Sequence, residues 1–288
     1  IFGMALAGYC KEWLGDRLWI ISGICVSIAV AGTLTSLFIR KTPVAHPGLP
    51  FQPSSLAINS ETWQMLRADR KLMGVLLISS LFWFLGGVCQ TAINAFGDFR
   101  LHYSDGRTSM LVACMGVGIA VGCLFAGKAS HKRVAFHLVT WGAWGLFLSF
   151  LALIGVGLFG EALPQQAADA APQGLLELLT PRSATDWAAR GVLIMLGVFA
   201  GMFVVPLQVF MQSRPPDDQK GRMIGGMNLI NWIGIVFAAA FYGATAATIK
   251  TIGRPPAEIY WIFAALAVVI LPVAIFYRPQ TESPNAGA

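Results

Sequence analysis

Charge is scarce in this chain. Only 12% of its 288 residues are Asp, Glu, Lys or Arg, about half the share of a typical soluble domain. With 56% hydrophobic residues, it lacks the polar material for a conventional soluble surface. The five cysteines, Cys10, Cys25, Cys89, Cys114 and Cys123, show no C-x-x-C spacing. Neither a zinc site nor a disulfide framework is therefore expected, and they read as small buried hydrophobes. There is no G-x-S-x-G elbow, P-loop, H-E-x-x-H helix or pair of intramembrane carboxylates, so no enzyme chemistry, cofactor or metal is expected. The chain opens with Ile1, and nothing near it has the charged, apolar, small-residue order of a secretory signal.

What is present is organised into long apolar runs. Seven of them, Leu18 to Ile39, Leu72 to Gly97, Thr108 to Gly127, Val134 to Gly160, Gly191 to Gln212, Met223 to Ala246 and Ile259 to Tyr277, contain no ionisable acid, Lys or Arg. A run of roughly 18 such residues crosses the ~30 Å hydrocarbon core as a helix, so an all-α polytopic membrane protein is expected. The shorter run from Ile1 to Cys10 stops at Lys11 and Glu12. It reads as the back half of a helix, with residue 1 inside a longer protein.

Charge placement sets an orientation. If the spans alternate, one side collects the stretches Arg40 to Lys71, Lys128 to Arg133, Ser213 to Arg222 and the tail from Arg278. They carry twelve of the twenty basic residues against five of the fourteen acids. The other side holds eight basic and nine acidic residues. Lys and Arg accumulate in cytoplasmic loops, so the basic side and the carboxyl tail are expected inside the cell. The membrane thus accounts for the basic balance, and no nucleic-acid partner is implied.

The longest basic connection begins with a Pro-rich linker, Thr42 to Pro50, and ends in a stretch from Ser60 to Arg70 with a capping Ser and with Trp63 and Leu66 on one face. That second part predicts a short surface helix. The opposite loop, Glu161 to Arg190, shows no apolar period. A six-helix bundle behind a long basic loop is the layout of the carboxyl half of a twelve-helix secondary transporter. The expected division is therefore 1–39 as the end of an amino-terminal half (part of helix five, then helix six), 40–71 as the central cytoplasmic loop, 72–277 as the six-helix bundle and 278–288 as a cytoplasmic tail. The preceding helices would be partners of this piece.

With the spans free of charge, uncharged polar residues carry the functional reading. Gln90 and Asn94 share a face four residues apart. Gln208 follows Pro206, and Asn228 and Asn231 stand beside Trp232. An amide in hydrocarbon requires a partner; each either lines a wet pathway or ties helices together. Gly116, Gly118, Gly122 and Ala126, with Gly197 and Gly201 on a later span, predict close helix approach. Pro206 removes a backbone donor where a gate would bend. The basic stretch Gly127, Lys128, Lys132 and Arg133, and further on Lys220 and Arg222, anchors the cytoplasmic side or latches helices there.

Four segments carry a family resemblance. Gly122 to Arg133 (GCLFAGKASHKR) resembles the loop signature of the major facilitator superfamily, with Ala126 and Gly127 where that signature carries a carboxylate. Phe82 to Asn94 (FWFLGGVCQTAIN), Gly201 to Gln208 (GMFVVPLQ) and Lys220 to Asn231 (KGRMIGGMNLIN) resemble its bacterial lysophospholipid-transporter branch, which also occurs fused to acylglycerophosphoethanolamine acyltransferases. The resemblance spans residues 72 to 246. It implies a twelve-helix inner-membrane fold working by alternating access on an amphipathic substrate, with an acyltransferase as the implied protein partner. Two other readings stay open: a facilitator-type exporter of drugs or small metabolites, and a non-transporting membrane anchor for a lipid acyltransferase.

Overall fold

A computed structural model describes residues 2–15, 17–40, 60–130, 134–161, 175–216, 219–253 and 255–277. Among them every regular element is helical: α1 (Phe2–Leu14), α2 (Leu18–Ser36), α3 (Ser60–Ala68), α4 (Arg70–Ala95), α5 (Asp105–Ala129), α6 (His137–Phe159), α7 (Leu175–Leu179), α8 (Ala184–Ser213), α9 (Lys220–Thr251) and α10 (Trp261–Phe276). A π-helical turn, Phe96–Arg100, extends α4, and a 3₁₀ turn, Pro256–Tyr260, leads into α10. All seven expected spans are helices long and apolar enough to cross a membrane.

Local chemistry sets their ends. Asp69 caps α4, accepting from the amides of Lys71 at 3.0 Å and Leu72 at 3.1 Å, which satisfies donors that a helix start leaves unpaired. Ser183 does the same for α8 through the Asp186 amide at 3.1 Å. Gly15 and Gly253, with φ of +51° and +72°, end α1 and α9 in the left-handed conformation that glycine adopts without penalty. Within α2, Ser27, Thr33, Thr35 and Ser36 donate to carbonyls three or four residues back, so an uncovered helix hides its hydroxyls in its own backbone.

Glycine packing holds the centre. A Cβ on Gly118 or Gly122 would overlap the carbonyl oxygens of Ile194 or Val198; one on Gly197 would overlap that of Met115, and one on Gly201 would lie 2.6 Å from the Cys123 nitrogen. The expected small-residue contact is thus a reciprocal seam between α5 and α8. α8 also packs on α6, where Gly142 and Gly145 receive Phe203 and Phe199. α9 lies along α4, α10 lies on α6, and α1 meets α5 with Gly8 against Ser109. Phe96, Phe150, Phe203 and Phe263 fill the interior. α2 stands apart, with none of its apolar window buried.

Two expected boundaries need correction. α1 continues through Lys11 and Glu12 to Leu14, because Lys11 finds a carboxylate partner on α5. The span expected to begin at Gly191 starts at Ala184, since paired charges let two further turns enter the bundle. Between the second and third expected spans, the stretch from Asp98 to Arg107 finishes the π turn and starts α5. The expected short helix is present as α3; in it Leu66 is buried while Trp63 is partly exposed beneath the Arg67 guanidinium, 5.2 Å from its ring. The Pro-rich linker, residues 162–174 and the tail lie outside the described residues.

Candidate functional site

The expected polar residues fall at several depths along one bundle. α4 and α9 run in register: the Ser79 hydroxyl donates to Asn231 Oδ1 at 3.3 Å, the Ser80 hydroxyl donates to the Ile230 carbonyl at 3.0 Å, and Gly87 faces Ala238. That register sets Asn228 level with Leu77 and Asn94 level with Thr245. At 1.5 Å per residue the two amides lie on the order of 25 Å apart along the axes. Gln90 and Asn94 are exposed on α4; Asn228 is exposed on α9, as is Trp232 at 65%. Asn231 is buried between the two helices, and its bond to Ser79 accounts for it as packing. Gln208 is half-buried beyond the buried Pro206, through which α8 runs as one helix.

Gly122 belongs to the α5–α8 seam, whereas Gly127 and Lys128 are exposed at the end of α5. Lys220 is half-buried and Arg222 exposed in the first turn of α9. Cations at a helix start oppose its dipole, so loop charge and not helix stability explains their place. Lys132 and Arg133 lie outside the described residues.

Asn94 opens onto a half-open cleft of about 620 Å³ where α4 ends and α5 begins, here called the distal end. Around it stand Thr91, Asp98, Tyr103, Ser104, Asp105, Thr108, Ser109 and Tyr242. The backbone that shapes it is irregular. The Leu101 amide reaches back five residues to the Phe96 carbonyl at 3.1 Å, and His102 takes φ 54°. π turns and left-handed non-glycine residues are uncommon and gather at binding sites. Arg100 anchors the turn by donating to the Gly157 and Gly160 carbonyls at 2.7 and 3.0 Å, at the end of α6.

Beneath the cleft lies a buried ion network absent from the sequence reading. Asp186 is fully enclosed. Its carboxylate accepts from Arg190 Nε at 2.7 Å, from Arg107 Nη1 at 3.4 Å and from the Arg182 amide at 3.2 Å. The two guanidinium groups also bind the Glu177, Leu178 and Leu179 carbonyls, pinning α7 to the bundle, and Arg182 pairs with Glu177. With so many partners this network is structural. Its signal was legible: Ser183, Asp186 and Arg190 form a capping pattern followed by an i,i+4 pair.

Burial, reinforced by the Asp186 charge, pushes the Tyr103 phenol above its ordinary range, so it remains a donor. At the opposite, proximal end Asp69 pairs with Arg214 Nε at 2.9 Å, joining the start of α4 to the end of α8. Burial alone would raise the Asp69 pKa; the Arg214 hydrogen bond and charge, with the Leu72 and Lys71 amides, outweigh it and hold the carboxyl below its ordinary range. This pair latches helices where the signature loop, carrying Ala126 and Gly127, has no carboxylate to offer. At the distal end, Lys11 bridges α1 to Asp105 at 2.7 Å.

Comparison with known proteins agrees with this architecture. The chain is similar to the lysophospholipid transporter LplT of Enterobacter sp. (strain 638), 27% identical over 216 residues, which is 74% of this chain and 47% of that protein. It is similar to the protein of the same name from Serratia proteamaculans (strain 568), 24% identical over 74% of this chain and 46% of that one. The Klebsiella pneumoniae subsp. pneumoniae protein of that name is 25% identical over 278 residues, 94% of this chain and 60% of that one. The chain thus spans about half the length of the curated relatives it matches. No solved structure matches it. The family model described as Major Facilitator Superfamily matches residues 1–239, and with its all-helical, multi-span bundle the chain belongs to that superfamily.

Proposed function

We propose that the whole protein moves lysophospholipid across the bacterial inner membrane by alternating access. The observation that carries this reading is the relationship to proteins named lysophospholipid transporters over as much as 94% of the chain. Residues 72–277 are the carboxyl six-helix half, 1–39 close the amino-terminal half, and 40–71 connect them. The proximal end and the carboxyl tail face the cytoplasm, following the basic loops; the distal cleft faces outward.

The geometry suits an amphipathic cargo. Gln90 and Asn94 sit toward one end and Asn228 and Trp232 toward the other, which provides polar footholds along a path instead of one closed pocket. The mid-span segments carry no Asp, Glu, Lys or Arg, so an acyl tail stays in hydrocarbon while the headgroup steps between amides. A lipid acyltransferase acting on the delivered lysolipid is the partner this role calls for.

Leaflet-resolved transfer of labelled lysophospholipid into vesicles holding the full-length protein tests the reading. Transfer faster than in protein-free vesicles is expected, and a rate equal to theirs contradicts it. Drug or metabolite efflux without lipid transfer would replace the cargo, leaving the fold assignment in place.

A further inference from the structure

The proximal end carries a basic, aromatic patch that the packing of the bundle does not use. Asp69 has φ −101° and ψ 91°, so the chain turns a corner there and the nine-residue α3 leaves the axis of α4. One face of α3 is closed: Thr62 and Leu66, one turn apart, are 3% and 1% exposed. The neighbouring face is open, with Trp63 at 38% and Arg67 exposed, the guanidinium lying over the indole. Arg70 and Lys71 are exposed immediately beyond the corner.

α3 also touches α9, and the register that joins Ser79 to Asn231 and Ser80 to Ile230 sets Arg70 beside the stretch from Lys220 to Arg222. Arg222 is exposed there as well. The first turn of α4 holds no acidic residue, and cations in a first turn oppose the helix dipole, so helix stability does not account for Arg70 and Lys71. The carboxylate nearest to them in sequence, Asp69, is taken up by Arg214 and by two amides of α4. Glu61 comes six residues before Arg67, about a third of a turn off its face. Asp217 and Asp218 lie outside the described residues.

We propose that Trp63, Arg67, Arg70 and Lys71, with Arg222 alongside, form a docking surface for the phosphate headgroup of an anionic bilayer lipid, a ligand separate from any cargo. Depth selects a lipid over a soluble acidic partner. The apolar run of α4 begins at Leu72, directly after the last of these cations, so the four side chains stand at the height of the headgroup phosphates. A partly covered indole with a guanidinium on its face suits that layer, the ring meeting the acyl boundary and the charge meeting the phosphate. A zwitterionic lipid brings an ammonium that the cations repel, and binds less well. The surface follows from the spans and the patch alone, and stands whether or not the transported cargo is lysophospholipid.

Native mass spectrometry of the full-length protein in detergent, titrated with dioleoyl phosphatidylglycerol and with dioleoyl phosphatidylcholine, reads the preference between the two lipids. A cation at an anionic lipid surface is worth roughly a fivefold change in affinity. Arg70→Gln and Lys71→Gln are each expected to lower the phosphatidylglycerol preference by about that factor, and Arg70→Lys to retain it. Trp63→Leu is expected to lower it about twofold, the scale of an exposed cation–π contact; no change there removes the indole from the surface. Lys128→Gln takes an exposed cation from the same end of the bundle but outside the patch, and is expected to leave the preference as it was. Equal losses in Lys128→Gln and Arg70→Gln would reduce the effect to net charge and overturn the site. A preference untouched by Arg70→Gln and Lys71→Gln combined would overturn it too. Displacement of the lipid by glycerol phosphate at the lipid's own concentration would assign the surface to free phosphates, and displacement by a polyglutamate peptide would assign it to an acidic protein; either overturns the lipid docking.

Discussion

Asp69 has two jobs at one position, capping α4 and pairing with Arg214 at the end of α8. Asn is also a good N-cap, so Asp69→Asn removes the charge pair and keeps the cap. The Asp69 pKa is depressed in the folded state, so its contribution is present above the unfolded carboxyl pKa and is lost as pH falls through the folded value. Thermal unfolding in detergent should therefore find Asp69→Asn less stable at neutral pH by about 0.2–1 kcal/mol, the range for partly exposed pairs. The gap should close on acidification below the ordinary carboxyl range. A gap independent of pH would deny the pair its role. Asp186 differs in kind. It is enclosed and shared between two guanidinium groups, so Asp186→Asn leaves buried cations uncompensated and should cost about 3–5 kcal/mol. A variant with an unchanged unfolding midpoint would remove the network from the fold's support.

At the scale of helices, the α5–α8 seam is the contact most sensitive to side-chain size. Gly118→Val places carbon atoms where the Ile194 carbonyl already lies, and overpacking of this kind costs roughly 1–3 kcal/mol. Gly127→Val, on the same helix but in open space, should cost little beyond helix propensity and so serves as the control. Equal effects at both positions would contradict the seam. These glycines were legible in the sequence because small residues four apart have one strong physical consequence in a membrane helix. The spans were legible for a similar reason, since apolar length alone decides them. The cleft was not. Tyr103, Ser104 and Thr108 read as loop or span-end residues, and a π turn and the left-handed His102 bring them to one cleft with Asp98. Nor does a sequence say which amides face a neighbour: Asn228 and Asn231 are three residues apart, yet one is exposed and the other is bonded to Ser79. Treating charge as the mark of a span's end hid Asp186 and Arg190, whose mutual pairing admits them to the bundle.

Across the molecule, the two ends are built differently. The proximal end is tied within the bundle by Asp69 and Arg214, while the distal end is tied to α1 by Lys11, Asp105 and the Gly8–Ser109 contact. Alternating access requires the distal contact to part when the proximal side closes. The most direct test uses single cysteines at Ser109 and at Asn228 in a cysteine-free full-length protein, with the rate of labelling by a water-soluble maleimide measured with and without lysophospholipid. The account predicts that lipid moves the two rates in opposite directions, one site gaining access as the other loses it. Rates that rise or fall together, or that ignore the lipid, would contradict it.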